Sequence, residues 1–335
     1  MFNMFKLLFM MTLMIGSLIS ISSFSWLGMW MGLEINLLSI IPLFSNTKNM
    51  MNNEATLKYF ITQALASTIM LFSIILISSN LFMNWETNIN MIFNSSLMTK
   101  MGAAPFHFWF PEVMEGLNWM NCLILLTWQK MAPMILIMYN NKMIEFLSMI
   151  ILFSMLISGI MGINQTSLRK IMAYSSINHI GWMISSMFFM ETIWLMYFLT
   201  YTIISFNIIL IFKKLNIFYL KQLFICLNKN SILKLFFMMN FLSLGGLPPF
   251  LGFLPKWMTI QMMMENNLNM ISLIMVMMTL FTLYFYMQIT FTTLMINMNE
   301  LNYYFYKPMK NFMYMFLNLI SILGLFLITL IFNFY

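Results

Sequence analysis

Eleven apolar runs, most of them around 20 residues long, leave this chain few folds to choose from. They fall at roughly 2–22, 24–44, 57–79, 91–113, 119–139, 144–162, 166–188, 192–212, 232–264, 268–296 and 312–333. An α-helix of about 20 residues spans the hydrocarbon layer of a bilayer. Inside that layer every backbone amide needs a partner within the protein, which only helices and closed barrels supply. Barrel strands are about half this length and alternate apolar with polar residues. These runs do not alternate. A soluble helical protein would carry amphipathic stripes with charged outer faces, yet here the runs are apolar all round and charged residues make up only 7% of 335. The chain therefore reads as all-α, a polytopic membrane bundle of about eleven transmembrane helices.

Sixteen basic residues are placed unevenly along this pattern. With the N-terminus on one side and eleven crossings, that side receives Lys6, Lys48, Lys58, Arg169, Lys170, Lys213, Lys214, Lys221, Lys229, Lys234, Lys307 and Lys310. The opposite side receives Lys142 alone, with Glu86, Glu145, Glu191 and Glu265. Basic residues collect on the cytoplasmic or matrix side of membrane proteins, so the N-terminus is expected there. The longest polar connection, 213–231, is basic and mildly amphipathic and is expected along the same surface. The net charge of +7 then reflects topology and contact with anionic phospholipid headgroups. No aqueous basic face with interleaved aromatic residues is present to bind nucleic acid.

Other residue counts carry a genetic signal. The chain has 44 Met and 35 Phe but no Asp, one Arg and two Val. Methionine is a flexible packing residue, yet packing does not call for so many. The bias fits an A+T-rich genome that reads ATA as methionine, as animal mitochondria do. The N-terminal segment MFNMFKLLFMM lacks the features of a transit or secretory peptide and reads as the first span itself. Cys122 and Cys226 are isolated, and point to no disulfide framework, zinc site or iron–sulfur cluster.

An internal repeat organises the spans. GAAPFHFWFPE runs from Gly102 to Glu112 in the fourth, and GLPPFLGFLPK from Gly246 to Lys256 in the ninth. Gly102 matches Gly246, Pro105 matches Pro249, Phe106 matches Phe250 and Pro111 matches Pro255, without a gap. Five helices separate the copies, so they enter the membrane in opposite directions. Proline removes a donor and clashes with the preceding turn, so both spans must break. Broken backbone at membrane depth survives only when buried in protein or lining a watery cavity, and paired Gly/Pro-interrupted spans point to a transporter's site. The plainer alternative is a loop between two shorter spans, which would spoil the charge asymmetry.

Three lysines sit inside apolar runs: Lys100, Lys130 and Lys256. A lysine at mid-membrane costs about 2.5–3.5 kcal/mol on insertion scales and so marks an ion or proton path. Glu34, centred in the second span, is their natural counter-charge. Burial disfavours the charged form of a lysine and a nearby glutamate favours it, so a Lys–Glu pair of changing separation loads and releases a proton. Plainer readings stand beside these. Lys100 could snorkel to an interface, Lys256 could anchor there beside Trp257, and Glu34 could be a protonated side chain bonded to backbone. Lys256 follows Pro255 at the start of a half-helix, where the macrodipole opposes a cation. His107, inside the first break, and His179, mid-span, are weaker relay candidates, and each could equally be a packing residue. Glu112 is expected at an interface. Nothing in the sequence resembles a nucleotide loop, a heme-ligating histidine pair or a catalytic triad.

LMTKMGAAPFHFWFPEV, ILLTWQKMAPM, LRKIMAYSSINHIGWM and LGGLPPFLGFLPKW together resemble the antiporter-like membrane subunits of mitochondrial NADH:ubiquinone oxidoreductase, respiratory complex I, in their animal, insect-like form. The resemblance covers most of the chain, in order. It implies two inverted five-helix repeats, about 1–140 and 144–296, in one membrane domain, with a last helix at 312–333. It also implies proton translocation driven by redox chemistry elsewhere. Glu34 and Lys100 would be the family's glutamate–lysine pair, Lys130 its central lysine and Lys256 the lysine of the second broken helix. No cofactor is expected on this chain; NADH, FMN, iron–sulfur clusters and ubiquinone would belong to other subunits. The partners would be other membrane-arm subunits, including neighbouring antiporter-like ones, in the mitochondrial inner membrane. The chain departs from fuller family members of fourteen helices by beginning at their fourth. Two rivals use the same residues differently: a free-standing cation/proton antiporter, and a structural membrane scaffold indifferent to its buried lysines.

Overall fold

The computed structural model describes residues 4–46, 49–79, 86–141, 143–227 and 231–295, together with Asn318, Leu319, Ser321 and Gly324. The helix expected at 312–333 therefore lies outside the described residues except at those four positions, as do Tyr335, Lys48, Lys142, Lys229, Lys307 and Lys310. Regular structure among the described residues is helical, apart from a bridge between Ser167 and Tyr219. Each of the first ten apolar runs coincides with a helix or a pair of half-helices. The chain divides into two compact units, Met1–Ser154 and Met155–Tyr335, and the division falls within one helix.

The first unit contains α1 (Met4–Ser22), α2 (Trp26–Phe44), α3 (Met50–Ser79), α4 (Glu86–Met101), α5 (Trp109–Gly116), α6 (Trp119–Leu126), α7 (Trp128–Tyr139) and the start of α8 (Ile144–Ile163). Ser25 caps α2, its hydroxyl accepting from the Gly28 amide at 3.2 Å, which holds one of the orphan donors of a helix start. Helices α1 and α2 pack along Gly16, Ser20 and Gly32, small residues that let two backbones approach. Elsewhere on α1, Leu7, Leu8, Met11, Ile15 and Leu18 stand exposed. In water such a row would be an aggregation hazard; against lipid tails it is the expected outer surface. Helix α3 begins at Met50, earlier than its apolar run, and Glu54 and Lys58 form an ion pair one turn apart at 3.1 Å that stabilises its polar second and third turns.

The second unit contains α9 (Leu168–Met187), α10 (Glu191–Leu215), α11 (Leu220–Leu227), α12 (Ser231–Gly245), α13 (Phe253–Glu265) and α14 (Asn269–Met295). Helix α9 is buried on nearly every side and is the centre of this unit, with α10, α13 and α14 against it. Its Ser, Asn and His side chains explain why it is less apolar than the outer helices. Among the described residues, seven helices are long and apolar enough to cross a membrane. The short α11 buries Leu223 and Leu227 on one side, as an amphipathic connection requires.

Candidate functional site

Both spans that carry the Gly/Pro repeat are broken, and by the same device. Gly102 and Gly246 have φ of 74° and 82°, a left-handed conformation that costs a side-chain-bearing residue about 1–2 kcal/mol. Each follows the last residue of a half-helix, α4 or α12. The Gly102 amide donates to the Thr99 carbonyl at 3.3 Å and the Ala103 amide to Met98 at 3.1 Å. In the second copy, Gly246 donates to Ser243 at 3.1 Å and Leu247 to Leu242 at 3.4 Å. This is the Schellman closure of a helix end, repeated residue for residue. The chain then turns through Phe106 N–H to Ala103 O at 2.8 Å, and Phe250 N–H to Leu247 O at 3.0 Å. Pro111 and Pro255 each fall in the first turn of the next half-helix, α5 or α13, where a missing amide costs nothing.

In the first unit Lys100 stands in the last turn of α4 and is buried. The Glu34 carboxylate on α2 is within Coulombic reach of it, yet the two make no direct ion pair. One Glu34 oxygen is buried and accepts no hydrogen bond. The expected pair is thus a separated one. Between α2 and α7, Asn36 and Gln129 form a reciprocal amide pair, with bonds of 3.2 Å and 2.8 Å. The Tyr59 hydroxyl reaches Gln129 Oε1 at 3.4 Å, and Gln63 donates to the Lys100 carbonyl at 3.3 Å. These residues and Lys100 line a cavity of about 10 Å³, about the space one water molecule needs.

Lys130 is 1% exposed, and its ammonium lies 5.3 Å from the centre of the Phe110 ring. Phe110 belongs to α5, so the second half of the first broken helix forms one wall of the lysine's site. The fifth span is itself interrupted beside Lys130, a distortion absent from the sequence reading. Helix α6 ends at Leu126, Thr127 adopts φ −111° and ψ −72°, and α7 restarts at Trp128. The Thr127 hydroxyl bonds the Leu123 carbonyl at 2.8 Å, and Pro133 within α7 can neither donate to nor tolerate the carbonyl of Gln129 in regular helix. Lys130 therefore sits in the first turn after a break and not in mid-helix. His107 lies in the first break, its Nδ1 3.3 Å from the Pro105 carbonyl. Glu112 is exposed and pairs with Lys58 at 2.9 Å.

In the second unit the position of Lys256 corrects the dipole argument made from sequence. Its backbone is in the first turn of α13, but its side chain reaches back across the break. The ammonium donates to the carbonyls of Leu244 at 3.2 Å and Gly245 at 2.9 Å. Those are end carbonyls of α12, where a helix presents its negative pole. The cation thus caps one half-helix and does not stand against the positive pole of the other. Nor is it an interfacial anchor: Lys256 is buried while Trp257 is exposed. The Trp182 ring lies 5.9 Å away. His179 is buried on α9, with Nδ1 2.9 Å from the Tyr197 hydroxyl and its ring 5.1 Å from that of Tyr201. Among the described residues, no group of three or more His, Cys, Asp or Glu is placed to hold a metal ion.

Sequence reasoning did not find the Asn36–Gln129 pair, the Thr127 break or the tyrosines around His179. Only Pro133 offered a local signal. The amide pair joins residues 93 apart in sequence, and apolar periodicity says nothing of such partners.

A family described as NADH:quinone oxidoreductase/Mrp antiporter, TM, matches residues 23–282. NADH-ubiquinone oxidoreductase chain 2 of Aedes aegypti is 52% identical over 332 residues, covering 97% of this chain and 97% of that one. The chain of the same name from Anopheles gambiae is 50% identical over 333 residues, again covering 97% of each. Among solved structures, a chain of respiratory complex I from Thermus thermophilus matches at a TM-score of 0.80 with 23% identity, covering 86% of this chain and 70% of its own. That likeness is one of fold.

Proposed function

The chain belongs to the NADH-ubiquinone oxidoreductase chain 2 family, and from that membership we propose that it is a core membrane-arm subunit of proton-pumping NADH:ubiquinone oxidoreductase that moves protons through Glu34, Lys100, Lys130 and Lys256. The observation that carries the proposal is the placing of buried lysines at the ends of two half-helices closed in the same way: Lys100 in the last turn of α4, and Lys256 bonded to the end of α12. Buried ammonium groups are costly in a membrane protein and are kept where charge must move. Lys130 beside Phe110 and the separated Glu34 complete the set. Redox energy comes from other subunits, which hold NADH, FMN, iron–sulfur clusters and ubiquinone. The neighbours are other membrane-arm subunits, antiporter-like ones among them, and anionic phospholipid.

The first test is Glu34→Gln. It keeps the size of the side chain and removes the charge that acts on Lys100. The complex is expected to assemble while proton uptake per NADH oxidised falls. Coupled pumping at the normal level would remove Glu34 from the relay. Co-migration of the subunit with NADH dehydrogenase activity on a native gel separates this reading from a free-standing antiporter.

For a chain in the mitochondrial inner membrane, the twelve-to-one distribution of basic residues supports an N-terminus in the matrix and a C-terminus in the intermembrane space. The 213–231 connection, with α11, then faces the matrix. Proteolysis or labelling in intact mitoplasts is expected to leave it untouched until the membrane is opened. Cleavage from the outer side would reverse the topology.

A further inference from the structure

Resting on the relay reading, we infer that Asn240 is a positioning residue for Lys256: it clamps α12 to the C-terminal helical segment, which braces the second break on both sides. That segment is described at Asn318, Leu319, Ser321 and Gly324, and every residue concerned lies in the second unit. Asn240 Nδ2 donates to Asn318 Oδ1 at 2.6 Å, and Asn240 Oδ1 accepts from the Ser321 hydroxyl at 2.7 Å. The Ser321 oxygen is also 2.8 Å from the Asn318 carbonyl, so its one proton is divided between two acceptors. Turning both amides over exchanges donors and acceptors and keeps both contacts. Asn240 and Ser321 are wholly buried and Asn318 nearly so. Asn318, Ser321 and Gly324 recur at three-residue spacing and so share a helix face. Gly324 meets the other side of the break: a β-carbon there would fall on the side chain of Leu251, itself buried in the loop that leads to α13.

Between these two contacts lie the groups that Lys256 binds. Ser243, Leu244 and Gly245 close α12 within five residues of Asn240, and the Ser243 hydroxyl bonds the Asn240 carbonyl at 2.7 Å. The Leu244 and Gly245 carbonyls accept from the Lys256 ammonium at 3.2 Å and 2.9 Å. Their direction is set by the rotation and height of α12, and the clamp fixes both. Apolar side chains repack after one helix slips against another. A buried amide does not, because the slip strands its donor and acceptor where no water replaces the partner. Fixing register is the best attested use of a lone buried asparagine. The device is particular to the second break. The position matching Asn240 in the first repeat is Ser96, whose hydroxyl turns back to the Phe93 carbonyl of its own helix at 2.6 Å.

The test removes the clamp without stranding its parts. Asn240→Leu, Asn318→Leu and Ser321→Ala are combined, since replacing all partners of a buried hydrogen bond by apolar groups can be nearly neutral for stability. Assembled complex is expected at near-normal content, with an unchanged KM for NADH. Coupled proton uptake is expected to fall by about tenfold, as a small displacement of a reacting group does. A purely structural role predicts normal uptake once content is equal, and that result would overturn the clamp. If the triple variant does not assemble, Ser321→Ala and Ser321→Thr carry the decision. Alanine should lower uptake by a smaller factor, and threonine, which keeps the hydroxyl, should restore it; normal uptake with alanine, or equal loss with both, would overturn the clamp. Lys256→Met, measured alongside, keeps the two readings apart. If it stops pumping while the triple variant pumps normally, the lysine relay stands and the clamp fails. If Lys256→Met itself pumps normally, the relay reading fails at that site, and with it the assignment of Asn240 to Lys256.

Discussion

Lys130→Arg and Lys130→Met are both expected to assemble and both to lose proton uptake, with the NADH oxidation coupled to it. The expectation rests on what each side chain can do in the pocket beside Phe110. Methionine is close to lysine in length and flexible enough to fill the same space, but it holds no proton. Arginine keeps a cation in place but does not release its proton under these conditions. If Lys130 works by taking up and giving up a proton, both variants remove the step. Loss of a proton-transfer group costs on the order of 10²-fold or more. If Lys130 instead supplies only a fixed positive charge, arginine works and methionine fails. Overpacking complicates arginine, since a larger group in a full site costs about 1–3 kcal/mol. Methionine does not share that difficulty, and complex content is measured for both. Proton uptake and NADH oxidation in membranes carrying each variant decide the matter. Near-normal activity with arginine would show that the proton path runs elsewhere.

The outline of the fold was legible because the bilayer writes it into the sequence. A span must be apolar for about 20 residues, and ten such runs became helices. The two breaks were legible for a related reason. Only glycine adopts the conformation of Gly102 and Gly246 cheaply, and prolines cannot sit within a helix without consequence. Where the signal was a property of one residue, the reading held. Where it depended on what one side chain touches, sequence fell short. Lys256 was judged by its place on α13, yet four methylenes carry its ammonium back to α12. The break beside Lys130 needed Thr127 and Pro133 to act together. The phenols around His179 were hidden among the aromatic residues that make up 17% of the chain, and only tertiary packing separates them from lipid-facing rings.

Gly252→Ala is expected to have the largest structural effect of any one-methyl change in the second repeat. Its backbone is in the ordinary helical region, with φ −66° and ψ −14°, so conformation alone would admit alanine. Space does not. A β-carbon at Gly252 would fall on the Ser243 carbonyl oxygen, which belongs to the last turn of α12. The obstacle is backbone, already committed to the helix end: Ser243 O accepts the Gly246 amide at 3.1 Å. No rotamer can relieve the overlap, so the two half-helices must move apart. Overpacked sites that adjust cost about 1–3 kcal/mol, occasionally more, and a site that cannot adjust lies at or beyond the upper end. Four residues on, Lys256 holds the carbonyls of Leu244 and Gly245, so the separation also strips its partners from a buried ammonium. Breaking such a charge from its partners costs several kcal/mol more. The matching position in the first repeat is Phe108, exposed, so the close approach is particular to the second break. Phe108→Ala is therefore expected to be mild. Native-gel abundance and thermal stability of the complex measure both variants. Loss of assembled complex with Gly252→Ala and its retention with Phe108→Ala is the expected result, whereas normal abundance and melting for Gly252→Ala would mean that α12 and α13 do not meet backbone to backbone.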